Sequence, residues 1–183
     1  MLTLATLLMA STLSLQADTT VVLGHAERDL TGDGKTEILR VVGAGPTIYD
    51  LGVTFTIESA GKTIYRYDMG RMTRTGRRHV MSPSQYRAWI KEYGQSFFGQ
   101  GKFQRPQEFV EFLSTSARGH IAEIPNVIAS DQDASETVAA SVIWEEIQKS
   151  PVTIFTFSPG GDRIEAIAWS ARAERFYRLF ECC

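Results

Sequence analysis

The residues of this chain best suited to chemistry form one short, glycine-rich loop that carries three carboxylates. The loop reads Asp29-Leu30-Thr31-Gly32-Asp33-Gly34-Lys35-Thr36-Glu37. Calcium is a hard cation that binds about six to eight oxygen atoms, and a tight loop can supply them from alternate positions. With Asp29 as position one, the expected ligands are four side chains and one carbonyl group: Asp29, Thr31, Asp33, Glu37 and the carbonyl of Lys35. The spacing predicts a calcium site, and the lack of Cys and His in the loop argues against zinc or copper.

The same loop allows an interpretation without a metal. Asp29 and Asp33 could accept hydrogen bonds from the backbone of a glycine-rich hairpin turn, a common use of aspartate in turns. A helix-loop-helix calcium hand is disfavoured, because its position twelve would be Arg40 and strands are predicted on both sides of the loop. The sequence leaves a strand-flanked calcium loop and a metal-free turn as alternatives.

Residues 29–46 resemble the calcium loop and following strand of an FG-GAP repeat, the unit of integrin-type β-propellers. The family pattern is a DxNGDGxxD loop, a hydrophobic strand and then Gly-Ala-Pro. Here Thr31 replaces the usual Asn or Asp, Glu37 replaces the usual Asp, and Gly45 separates Ala44 from Pro46. One repeat cannot close a propeller, which needs several blades, so the resemblance implies the calcium loop and not the family's adhesion or ligand-binding role.

The elements that must position the loop are strands. Residues 20–23 and 37–42 are rich in β-branched and apolar side chains and predict a hairpin around the loop, which ends where residues 43–46 break the chain. Residues 52–58 and 62–68 alternate polar and apolar side chains around a Ser-Ala-Gly turn, which predicts a second hairpin with one solvent-exposed face.

The middle of the chain changes to a helical period. Ser82-Pro83-Ser84-Gln85 is a capping-box start of a first amphipathic helix, and Arg105-Pro106 starts a second. Asp133, with Glu136 three residues later, predicts a third helix that runs through Ile147.

Period-two alternation returns in residues 152–157, 164–169 and 175–180, which predict a three-stranded meander. The predicted fold class is therefore α+β, with a mostly antiparallel sheet from the N-terminal hairpins and the C-terminal meander, and about three helices in the middle. Residues 18–183 are predicted to form a single domain.

Residues 1–17 are uncharged and rich in Leu, and a small residue, Ala17, precedes the polar Asp18. This pattern predicts a signal peptide that is cleaved after Ala17, and hence a secreted or periplasmic protein. No basic residue precedes the apolar run, and a buried helix or strand is the alternative. The run is too short and too polar for a membrane span.

The chain has 183 residues, 43% of them hydrophobic and 22% charged, and a formal net charge of -2. This composition is typical of a globular protein and provides no overall positive field to attract nucleic acid. Its two cysteines, Cys182 and Cys183, are adjacent, so the sequence leaves open a strained ring, an intermolecular bridge or a pair of free thiols.

One basic cluster lies between the predicted sheet and the first helix, and it comprises Arg71, Arg74, Arg77, Arg78 and His79. It could contact an anionic surface or a protein partner, or be an ordinary solvated loop. A flat aromatic patch from Phe97, Phe98 and Phe103 would favour partner binding, although the end of a helix in the core is the simpler interpretation of these residues.

Other groups give no catalytic pattern. His25, His79 and His120 are far apart in sequence, no nucleophile elbow, Walker loop or dinucleotide fingerprint is present, and Glu145 and Glu146 are neighbours on a helix that point in different directions. The sequence thus predicts an exported calcium-binding protein of binding or structural type, with its partner unknown. The alternative is a secreted enzyme or enzyme inhibitor that uses the helical region and the Arg71–His79 loop.

Overall fold

Two antiparallel sheets of four strands each form the scaffold of the protein. The computed structural model describes residues 19–73, 81–116, 120–160 and 163–182. Within these ranges the fold is α+β with antiparallel pairing, as predicted; it is mostly sheet, and the strands form two separate sheets.

The first sheet is a meander of four consecutive strands, β1 Thr19–Arg28, β2 Glu37–Thr47, β3 Asp50–Ser59 and β4 Lys62–Thr73. Alternate residues of β2 and β3, including Leu39, Val41 and Phe55, are fully buried, and the residues between them face partly to solvent. The two predicted N-terminal hairpins are therefore confirmed. Their inward-facing side chains form one apolar layer.

The predicted chain break at residues 43–46 is wrong. Strand β2 continues through this stretch, with Gly43 opposite Val53 and Ala44 opposite Gly52. At Gly45 a Cβ would lie 2.0 Å from the carbonyl oxygen of Asp50, so the glycine permits a close approach of the two strands here. Glycine within a strand often marks such a contact and not the end of the strand.

The second sheet contains β5 Phe103–Gln104, β6 Ile154–Gly160, β7 Arg163–Ser170 and β8 Arg175–Cys182. The last three strands are the predicted C-terminal meander, which is confirmed. Four consecutive residues of β6, from Ile154 to Phe157, are buried, so this strand is covered on both faces. Cys182, in β8, is disulfide-bonded.

The described residues contain four α-helices, where the sequence predicted about three. They are α1 Pro83–Phe97, α2 Pro106–Ser116, α3 Ile124–Asp131 and α4 Ala140–Lys149, and a 3-10 turn, His120–Glu123, precedes α3. Helix α3 was not predicted because it has only eight residues and carries a proline in its first turn, which leaves little length for a helical period.

The predicted start of the third helix at Asp133 is also wrong, because that helix, α4, begins at Ala140. Glu136 does accept a hydrogen bond from the backbone of Asp133, at 3.1 Å, as a capping glutamate would. However, Glu136 also accepts from Arg175 at 2.5 Å and from the hydroxyl of Tyr177. These contacts to β8 hold residues 132–139 as a non-helical connection, so a local capping pattern is overridden by tertiary contacts.

Two hydrophobic cores lie on the two faces of the second sheet. The first core joins the inner face of the first sheet and helix α1 to Phe155, Phe157, Ile167 and Phe176. The second core joins the opposite face to helices α2, α3 and α4, with Ile143, Ile147 and Tyr177 fully buried. The architecture is thus sheet, sheet and helices in three layers, with the second sheet in the middle.

The predicted signal peptide, residues 1–17, lies outside the described residues, as do residues 74–80. Among the helices that the structure describes, none combines the length and the apolar character needed to cross a membrane.

Candidate functional site

The predicted calcium loop connects β1 to β2 in the first hairpin. Gly32 and Gly34 adopt positive φ angles of 74° and 83°, a backbone conformation that favours glycine. These two residues allow the chain to fold tightly between Asp29, at the start of the loop, and Glu37, the first residue of β2.

The carboxylate of Asp29 points into the loop. Its Oδ1 accepts a hydrogen bond of 2.7 Å from the amide of Gly32, and its Oδ2 accepts one of 3.0 Å from the amide of Gly34. Asp29 thereby organises the loop from position one to position six. This contact occurs in the metal-free turn that the sequence allows, and it also leaves lone pairs of both carboxylate oxygens for a cation.

Asp33 and Lys35 form a contact of their own at the solvent-exposed side of the loop. The Lys35 amide donates to Asp33 Oδ1 at 2.8 Å and its ammonium donates to Oδ2 at 2.9 Å. The hydrogen bond from the Lys35 ammonium is the main reason why the pKa of Asp33 lies below its usual value, and the same bond raises the pKa of Lys35. Both side chains are well exposed, so this pair contributes little stability.

Glu37 is the buried acid of the site, with none of its surface exposed. Its Oε2 accepts from the amides of Leu30 and Thr31 at 2.7 and 3.3 Å. Its Oε1 lies 3.3 Å from the hydroxyl of Thr31 and 3.2 Å from that of Ser59. Among the described residues its hydrogen-bond donors are therefore all neutral, and none forms an ion pair with it; the nearest recorded cationic influence is a longer-range electrostatic attraction from Lys35.

The structure brings some of the predicted ligands together and not others. Thr31 meets Glu37, and Asp29 faces the loop amides, whereas Asp33 turns towards Lys35. Within the part of the chain that the structure describes, no three His, Cys, Asp or Glu side chains converge on one point. The donors are hard oxygens, as calcium prefers, but binding by all five predicted ligands would require Asp33 to exchange Lys35 for the metal.

Ser59 is a contact of the site that the sequence analysis missed. It lies at the end of β3, and register places its neighbour Glu58 opposite Ile38 of β2, beside Glu37. No local signal marks Ser59, because it reaches Glu37 only through the pairing of β2 with β3.

Only part of the predicted basic cluster can be located. Arg71 forms a two-point contact with Asp50, at 3.0 and 2.5 Å, so its charge is neutralised within the first sheet. Arg74, Arg77, Arg78 and His79 lie outside the described residues, and an anionic surface or partner for this cluster stays a prediction.

The aromatic residues considered for partner binding belong to the core. Phe97 is buried in the first core, and Phe98 and Phe103 pack against it. On α4, Glu145 pairs with Lys149 and Glu146 contacts Ser170 and Arg172, so the two glutamates have separate partners.

A second buried acid links the two sheets. Glu165 of β7, whose side chain is 1% exposed, accepts a hydrogen bond of 2.5 Å from the hydroxyl of Tyr67 in β4. Arg163 lies 2.9 Å from Glu165 and 2.7 Å from Glu181. Unlike Glu37, Glu165 therefore has a cationic partner, which is the usual arrangement for a buried charge.

Comparison with known proteins gave no match to a protein-family model, a curated protein or a solved structure. The resemblance of residues 29–46 to an FG-GAP repeat stays a prediction on the residues alone.

Proposed function

We propose that this is an exported protein whose Asp29–Glu37 loop binds one calcium ion, and that the ion has a structural role in the first hairpin. The observation that carries the proposal is the charge of Glu37, which is fully buried and hydrogen-bonded only to neutral groups among the described residues. A buried carboxylate without a cation is costly even when its oxygens are hydrogen-bonded. Calcium would bring a positive charge into direct contact with this carboxylate, which Lys35 influences only from a longer range.

The remaining ligands are close enough in sequence to complete the site. Asp29 already faces the loop interior, and the hydroxyl of Thr31 lies beside Glu37. Asp33 is held by a solvent-exposed ion pair that contributes little net stability, and a divalent cation can displace it. Export, which residues 1–17 predict, would suit a site of modest affinity, since extracellular calcium modules need dissociation constants of only about 10⁻⁴–10⁻³ M.

Calorimetric titration of the protein with calcium tests the proposal. We expect one site, together with a melting temperature that rises with calcium and falls with chelator. At a concentration 100 times the dissociation constant, mass action adds about 2.7 kcal/mol, which for a chain of this size corresponds to roughly 5–10 °C. The absence of binding heat at millimolar calcium would overturn the proposal.

Three variants sharpen the test. Asp33→Ala removes a ligand and should abolish or strongly weaken binding, and Glu37→Gln removes the buried charge and should do the same. Asp68→Ala is the matched control, because Asp68 also accepts from a glycine amide, that of Gly70 at 2.8 Å, at an irregularity within β4 and outside the loop. Its calcium affinity should equal that of the parent protein.

Lys35→Ala separates the calcium site from a metal-free turn. The Lys35 ammonium occupies Asp33, so its removal frees a ligand while leaving the Lys35 carbonyl in place. Calcium affinity should rise about two- to five-fold, the equivalent of an exposed ion pair. Were the loop only a turn, Lys35→Ala would give no calcium dependence of stability.

A further inference from the structure

The disulfide at the end of strand β8 is a feature that the proposed calcium site does not use. Cys182, the last residue of the strand, is disulfide-bonded. The sequence contains one other cysteine, Cys183, so the bridge joins adjacent residues. A disulfide stabilises a fold mainly by closing a loop of the unfolded chain, and its contribution grows with the length of that loop. A bridge between neighbours closes no loop, so it adds little stability to the fold.

Cys182 is accessible from an open pocket of about 610 Å³ that lies between helix α3 and strands β7 and β8. Val127 and Ser130 line the pocket on the side of the helix. Cys182 lines it on the side of the sheet and is partly exposed. Exposed disulfides are the labile ones, because a thiol can reach their sulfur atoms. The pocket therefore gives a small thiol a route to Cys182.

The charged residues that line this pocket are two arginines and one glutamate: Arg163, Arg178 and Glu181. Both arginines pair with Glu181, and Arg163 does so at 2.7 Å. Their other acidic partners, Glu165 and Asp131, do not line the pocket. The lining thus carries one net positive charge. Guanidinium groups near a cysteine favour its thiolate, and a positive surface attracts anionic ligands.

We propose that the Cys182 disulfide is a thiol–disulfide exchange site for small anionic thiols. A thiolate attacks the Sγ of Cys182, the bond to Cys183 breaks, and Cys183 leaves as a thiolate that takes a proton from solvent. Cys182 is then in a mixed disulfide with the small molecule. A second thiolate attacks the sulfur of that molecule, which releases a small-molecule disulfide and leaves Cys182 reduced. The two thiols lose the two electrons that the bridge gains. This proposal does not depend on calcium binding.

Reaction of the full chain with two small thiols of opposite charge tests the proposal. Glutathione is the anionic thiol and cysteamine the cationic one, and mass spectrometry after alkylation measures the reduction and the mixed disulfide. The control is the oxidised peptide of residues 179–183, which has the same bridge without the pocket. We expect the ratio of the glutathione rate to the cysteamine rate to be about two- to five-fold higher in the protein, the equivalent of an exposed charge pair. A bridge that stays oxidised, or equal ratios in protein and peptide, would overturn the proposal.

Variants of the two arginines test the contribution of the pocket. Arg163→Gln and Arg178→Gln each remove one positive charge from the lining, so the glutathione rate should fall about two- to five-fold and the cysteamine rate should not fall. Arg87→Gln is the matched control, because Arg87 is exposed on helix α1 and does not line the pocket. Equal glutathione rates in the parent and all three variants would overturn the assignment of this pocket as the route of the thiol.

Discussion

Gly94 of helix α1 lies directly against the backbone of Leu23 in β1, and a Cβ at position 94 would be 1.7 Å from the Leu23 carbonyl oxygen. The neighbouring Gly24 faces Gly94 in turn, with a Cβ at 24 only 2.5 Å from the Gly94 carbonyl oxygen. Helix and edge strand therefore approach at a pair of glycines. Helix α1 thus packs closely against β1, an edge strand of the first sheet, at Leu23 and Gly24.

Gly94→Ala is expected to destabilise the protein by about 2 kcal/mol or more, because the added methyl group must displace backbone atoms. The intrinsic helix preference of alanine, about 1 kcal/mol, offsets only part of this cost. Denaturant unfolding measures the change. Gly52→Ala is the control, since a Cβ there meets nothing closer than 3.5 Å. A Gly94→Ala protein as stable as the control would contradict the close approach.

Tyr67→Phe is expected to destabilise the protein by about 1.5–3 kcal/mol, since the lost hydrogen bond is to a buried charged group. The hydroxyl of Tyr67 donates to Glu165 across the two sheets at 2.5 Å. Thermal unfolding would show the difference against Tyr93→Phe, which loses only a 3.4 Å bond to the carbonyl of Ser158. Equal stabilities of the two variants would count against the Tyr67–Glu165 contact as an inter-sheet link.

Ala60→Gly is expected to stabilise the protein by up to about 1 kcal/mol. Ala60 and Gly61 form the two-residue turn between β3 and β4, with φ angles of 48° and 77°. In this left-handed region the Cβ of alanine comes too close to the backbone, whereas glycine has no Cβ and is not strained. Ala44→Gly, in extended β2, makes the same chemical change and should instead destabilise by about 0.5–1 kcal/mol. Changes of the same sign in both variants would refute the turn assignment.

Stability is expected to fall as the pH rises above about 10, the ordinary pKa of tyrosine. The pKa values of Tyr67 and Tyr177 are raised to about 12, mainly because burial disfavours the charged phenolate. The hydrogen bonds of the two hydroxyl groups to Glu165 and Glu136 raise them further. Between these pH values the folded state keeps protons that the unfolded state releases, so alkali favours unfolding. Melting temperatures measured from pH 9 to 12 test the expected loss of stability, and tyrosinate absorbance over the same range reports the ionisation of the tyrosines. A constant melting temperature across that interval would contradict it.

The elements that the sequence predicted well are those whose signals are local. Ser82 and Gln85 form the capping box at the start of α1, with both reciprocal hydrogen bonds present, because all the groups involved lie within four residues. The hairpin strands were predicted for a similar reason, since the alternation of buried and exposed residues is contained in each strand. Their ends were less certain: β2 passes through Gly43 and Gly45, which the sequence pattern treats as a break.

What the sequence could not predict depends on contacts between distant residues. The partners of Glu37 include Ser59, and the partner of Asp29 and Leu30 is Thr153. The separation of the strands into two sheets could not be predicted either, because the alternation of polar and apolar residues within a strand does not show which sheet the strand joins. The candidate calcium loop was thus located from its own residues, whereas its connection to the second sheet required the fold.

The position of the second sheet between two cores also determines when the chain can complete its fold. Phe55 of β3 is packed by Phe155 and Phe157 of β6, which follow it far along the chain. During synthesis, the apolar face of the first sheet therefore stays uncovered until β6 has been made. Contacts between residues far apart in sequence slow folding, and the intermediates expose apolar surface that is prone to aggregation. We therefore expect a fragment that ends before β6 to aggregate, and the protein to gain its cooperative stability only after its last three strands have been made.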